Sequence, residues 1–152
     1  MANELLWLPK TVADLLTTEL NNASTGATIV DAGTYANQTN KYRWADFFLH
    51  LEDFDAAPAA GSTVELHIFY RLDGTLYADG EEGDGATPVA TGNSLHGLFQ
   101  VAATDGPQNQ QVLGVPLRPF EFKAAVKLNI TTELTAVNTH YLKMYPYNEE
   151  LQ

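Results

Sequence analysis

From residue 26 onward apolar and polar residues alternate with a period of two, and the runs are separated by clusters of Gly, Pro, Asn and Asp. Period two with punctuation of this kind predicts half-buried strands joined by turns. Thr63–Arg71 shows it best: Val64, Leu66, Ile68 and Tyr70 fall on one side, and Glu65, His67, Phe69 and Arg71 on the other. A strand here buries the first row and turns the second outward, with Phe69 making that second row only partly polar. Phe120, Phe122, Ala124, Val126 and Leu128 form another apolar row, opposite Glu121, Lys123 and Lys127, and are expected in the core. Similar runs cover Thr28–Ala32, Tyr42–Glu52, Leu95–Ala102, Gln111–Leu117 and Thr139–Tyr147, and place Phe47 and Phe99 inside as well.

The intervening "DAAPAAGS" and "TDGPQNQQ" carry the residues that turns use for positive or fixed φ. Seven or eight strands spaced this way predict an all-β fold, an antiparallel β-sandwich of jelly-roll-like form. It occupies residues 26–152 and is preceded by an N-terminal arm or short helix over 1–25. Val12, Leu15, Leu16 and Leu20 approximate helical spacing, but threonines dilute the pattern, and a strand or extended arm fits nearly as well. In the less periodic stretch before it, Trp7 with Leu5, Leu6 and Leu8 is the expected partner-binding anchor.

Composition narrows the function. At 152 residues the chain makes one domain with a sizeable core, and its net charge of −11 disfavours nucleic acid as a partner. With no cysteine, disulfides and thiolate chemistry are absent and packing alone must hold the fold. The start, "MANELLWLPK", lacks a cationic region followed by an apolar core, and no apolar run is long enough for a membrane span; a non-exported, non-membrane protein is the expectation.

The sharpest candidate for chemistry is "DGTLYADGEEGDG", Asp73 to Gly85. Its carboxylates do not follow calcium-loop spacing: counted from Asp79, Gly83 is fifth, Asp84 sixth, and no late Glu follows. A solvated loop is the expected role of Asp79, Glu81, Glu82 and Asp84, with no metal, no cofactor and no catalytic residue assigned. His50, His67, His96 and His140 are not at ligand spacing, and each is expected on the exposed or partner-facing side of its strand. Trp44, Tyr77 and Tyr145 leave an alternative open, a sugar site assisted by the acidic loop.

The segments "WADFFLHL", "PAAGSTVEL", "DGTLYADG", "QQVLGVPLRPFEFK" and "MYPY" resemble a family of small structural proteins of tailed-bacteriophage particles. The resemblance covers roughly Trp44 to Tyr147 and implies a non-enzymatic virion subunit. Its expected role is a capsid decoration protein on the outside of the major capsid protein lattice, made in the host cytoplasm. It further implies a homo-oligomer, a trimer being favoured at the symmetry axes of a shell. The alternative is a neck-, tail- or fibre-associated module, with carbohydrate binding for host recognition.

Overall fold

The computed structural model describes residues 5–9, 11–73, 76–77, 92–136 and 139–151. Among these, two antiparallel sheets stack into the expected sandwich. In the first, β1 (Leu5–Pro9) and β2 (Ala13–Leu16) lie along one side of β11 (Tyr141–Leu151), followed by β5 (Trp44–Leu51) and β9 (Gln108–Pro116). In the second, β3 (Thr28–Val30) and β4 (Tyr35–Ala36) lie along β10 (Glu121–Asn129), followed by β6 (Thr63–Asp73), whose far side takes β7 (Leu76–Tyr77) and β8 (Leu95–Gln100). Successive long strands switch between sheets, which gives the jelly-roll-like path.

The alternation read from the sequence determines which rows meet. Ala45, Phe47, Leu49 and Leu51 of β5, with Leu142 and Met144 of β11, face Val64, Leu66 and Ile68 of β6 and Phe122, Ala124, Val126 and Leu128 of β10. Fully burying side chains of this size contributes about 1.5–3 kcal/mol each. Asn37, itself buried, satisfies its whole side-chain amide on the Tyr42 backbone and the Arg118 carbonyl, and so pins the start of β5 to the loop after β9.

Three expectations change. Phe120 is 49% exposed rather than core, because Pro119 cannot donate to a ladder and pairing of β10 begins only at Glu121. Phe69, on the outward row of β6, is fully buried, in a second cluster with Tyr77, Ala125 and Val30 that covers the outer face of the second sheet. The segment from Val12 to Leu20 is β2 and a single 3-10 turn at Thr18–Leu20, not an α-helix. β2 takes its hydrogen bonds from the open side of β11, and Leu15, Leu16, Leu20 and Ala23 are buried in the common core. Residues 13–23 therefore belong to the sandwich itself.

The two sheets come close together where Gly97 of β8 meets Val112 of β9. A Cβ placed on Gly97 would lie 2.5 Å from Val112 Cγ1 and 3.2 Å from its Cβ, so rotation of the valine cannot relieve the clash. Gly97→Ala is expected to lower stability by about 1–3 kcal/mol in urea titration, and Val112→Ala in the same chain to recover part of that loss. Strictly additive losses would place the strain elsewhere.

Candidate functional site

The outer faces of the two sheets differ. That of the second is partly covered by Tyr77, whose hydroxyl lies 2.8 Å from the Thr34 hydroxyl and whose ring packs with Phe69 and Ala125, while Leu95 and Leu98 of β8 stay exposed on it. That of the first presents aromatic and amide side chains to solvent. Residues Trp44, Asp46, Phe48 and His50 of β5 point outward, flanked by Tyr141, Lys143, Tyr145 and Tyr147 of β11 and by Asn109, Gln111 and Leu113 of β9. Phe48 and Tyr145 meet edge to face at 4.9 Å, and His50 stacks on Tyr141 at 4.9 Å. The Lys143 ammonium sits 4.7 Å from the Tyr141 ring centre and 3.4 Å from Asp14.

A β-bulge shapes one end of this face. Phe47 pairs with Val112 and Ala45 with Val115, so Leu113 and Gly114 together oppose Asp46. Gly114 adopts φ 65°, the left-handed region open to glycine, and donates its N–H to the Asp46 carboxylate at 2.8 Å. Leu113, next on the outward row after Asn109 and Gln111, is 57% exposed, and Tyr145 is 37% exposed. The result is an open trough of about 830 Å³ lined by Phe48, Leu113, Tyr145, Pro146 and Tyr147, with Asp46 and Gly114 at its polar side. That volume lies within the usual range for ligand sites, and the lining has their usual character, apolar with a single orienting group.

The local field is negative. Burial first, then the charge of Asp46, raises the Tyr147 pKa; its hydroxyl also hydrogen-bonds that carboxylate, and Glu149 adds to the shift. Tyr147 is therefore a neutral donor at the trough. At the other end of the face His50 bridges Asn109 and Glu52, at 2.9 and 2.8 Å.

The histidines are not uniformly on exposed faces. His67 and His140 are each 1% exposed, because each finds partners for both ring nitrogens inside. His140 accepts the Glu52 backbone N–H at Nδ1 and donates Nε2–H to the Thr135 carbonyl. Burial lowers its pKa, more than the Thr135 bond raises it. His67 lies between Ser94 Oγ and Glu65 Oε2, at 2.9 Å from each, a serine–histidine–carboxylate chain that the sequence separation hides. Burial pushes the Glu65 carboxyl up, but hydrogen bonds from His67 and Asn129 outweigh it and the net shift is downward. Ser94 is buried as well, so its hydroxyl cannot reach a substrate carbonyl, and the chain acts as a tie between β6 and the start of β8.

Trp44 and Tyr145 share the outer face of the first sheet, whereas Tyr77 is on the opposite side of the sandwich, so the three do not form one sugar site. Leu5, Leu6, Trp7 and Leu8 lie in β1, paired with Leu151, Glu150, Glu149 and Asn148, which carries that segment along the sheet edge next to the trough. Asp79, Glu81, Glu82 and Asp84 lie outside the described residues. Among the described residues no group of three or more His, Asp or Glu side chains is gathered for a metal.

No family model and no curated protein matches the chain. Among solved structures, a carbohydrate-binding module, CBM36, in complex with calcium and xylotriose is similar at 8% identity and TM-score 0.40, over 97% of this chain and 99% of that one. The CBM36-1 domain of a multidomain xylanase from the hindgut metagenome of Trinervitermes trinervoides is similar at 13% identity and TM-score 0.39, over 96% and 95%.

Two outcomes follow from this geometry. Gly114→Ala meets nothing within 4 Å, so its cost is backbone strain alone, about 1–2 kcal/mol by chemical denaturation, and Gly114→Asn should cost less because Asn tolerates this conformation. His140 is neutral in the fold, and both folded and unfolded forms are unprotonated above pH about 6.5. As pH falls below that value the unfolded chain gains a proton that the folded chain resists, so stability declines until the lowered native pKa is reached. His140→Asn should flatten the slope of melting temperature against pH in that window; His96, whose pKa burial also lowers, supplies the remainder.

Proposed function

We propose that this protein is a non-enzymatic β-sandwich subunit that works by adhesion, docking through the outer face of its first sheet. Its setting, on this reading, is a tailed-bacteriophage particle, as a decoration protein on the major capsid protein lattice. The observation that carries the docking is the trough on the first sheet's outer face, where Leu113 and Tyr145 stand exposed beside the Asp46 carboxylate. Contiguous apolar surface of this kind, rimmed by polar groups, marks interaction sites, and aromatic residues dominate their energetics. The particle setting is supported by the phage-like segments, two of which, "WADFFLHL" and "MYPY", supply β5 and the part of β11 that build this face. Non-enzymatic action fits the sealed position of Ser94 and His67. β1 extends the same sheet edge, consistent with Leu5, Leu6, Trp7 and Leu8 joining the contact.

A second reading keeps the face and changes the ligand to a carbohydrate, as in a fibre- or tail-associated recognition module. It is favoured by the amides of Asn109 and Gln111, which stand opposite His50 and Phe48 on the same outer face as Tyr141 and Tyr145.

Co-sedimentation with emptied phage heads, run beside a glycan array, separates the two. The expected result is attachment to assembled shells, weakened about tenfold or more by Tyr145→Ala and by Leu113→Asp, with a blank array. A glycan signal lost with the same substitutions, and no shell binding, would transfer the assignment to the second reading. Attachment unaffected by both substitutions would remove this face from the account.

A further inference from the structure

Resting on the docking role just proposed, we infer that the trough beside the bulge takes a cationic protein segment, one that sets an aliphatic or aromatic side chain next to a Lys or Arg. The charge pattern of the sheet carries this. Across β1, β2, β5, β9 and β11 the sequence places Asp14, Asp46, Glu149 and Glu150 against a single cation, Lys143. That cation pairs across the strands with Phe48, but its ammonium is engaged elsewhere, 3.4 Å from Asp14 and 4.7 Å from the Tyr141 ring centre, and it does not line the trough. The charge within the trough is thus the Asp46 carboxylate. It accepts from Gly114 N–H and from the Tyr147 hydroxyl, and a carboxylate has about four acceptor positions, so it retains capacity for a donor that arrives with the partner.

The apolar part sets the other half of the specificity. Leu113, Phe48, Pro146 and the Tyr145 ring offer a surface that an alkyl or ring group covers, with the Asp46 carboxylate at the side. A hydrophobic anchor beside a guanidinium or ammonium satisfies both, the charge gaining strength as the anchor excludes water. A second copy of this chain is a poor occupant, because a net charge of −11 and the same carboxylate-rich sheet would meet like with like.

The test uses the full chain and NMR titration with N-acetyl-Leu-Arg-Leu-Arg amide, its Leu-Glu-Leu-Glu counterpart, and a neutral hexose trisaccharide. The basic peptide should saturably shift the resonances of Leu113, Gly114 and Tyr145, and the acidic peptide should not. Asp46→Asn, which keeps an acceptor for Gly114 N–H while removing the charge, should weaken the basic peptide about fivefold, as should raised salt. Equal response to both peptides, an unchanged affinity in Asp46→Asn, or saturation by the trisaccharide alone would overturn the inference. Such a failure is distinct from failure of the docking role, which would show as shell attachment insensitive to Leu113→Asp and Tyr145→Ala.

Discussion

Contact between the inner rows of the two sheets is the constraint on which everything else depends. With no cysteine to cross-link them, the sheets are held by interdigitated Phe47, Leu49, Ile68, Phe99, Phe122 and Val126. That contact leaves each sheet with an outer face to dispose of. The second sheet covers part of its own with Phe69 and Tyr77, leaving Leu95 and Leu98 exposed, while among the described residues the first leaves Leu113 and Tyr145 open beside a trough. On the docking role proposed above, function rests on that exposed apolar surface of the first sheet.

The bulge links local backbone chemistry to that function. An extra residue in β9 requires a position of positive φ, glycine supplies it at 114, and an aspartate on the neighbouring strand secures the freed N–H. The same arrangement holds the Asp46 carboxylate beside Leu113, which alternation already turns outward. A strand that would otherwise be a plain sheet edge thus gains shape, hydrophobicity and charge together.

Much of the sandwich was legible because a strand with one buried face writes its orientation in alternate residues, as in Val64 to Tyr70 and Phe122 to Leu128. Legibility failed where burial came from tertiary contacts that alternation along one strand does not report. His67 and His140 read as surface residues, yet Ser94, Glu65, Thr135 and the Glu52 amide supply every hydrogen bond they need inside. Phe69 read as half-exposed because its cover, Tyr77, comes from a separate strand. Val12 to Leu20 misled by spacing, since the open side of β11 decides its conformation more strongly than its own propensity. Of the site, the aromatic character was visible in the composition. The meeting of Phe48, Leu113 and Tyr145 was not, because it requires the register of three strands and an unannounced bulge.

The position of β11 has a consequence for how the molecule comes into being. Its partners are strands whose residues lie more than ninety positions earlier, β5 on one flank and β1 with β2 on the other, so it is the keystone of its sheet. During synthesis the nascent chain must carry an unclosed row of backbone donors and acceptors on β5 until residues 141–151 have left the ribosome. Assembly is then a late, all-at-once event, and the window before it is when this acidic chain is most exposed to mispairing with its own kind.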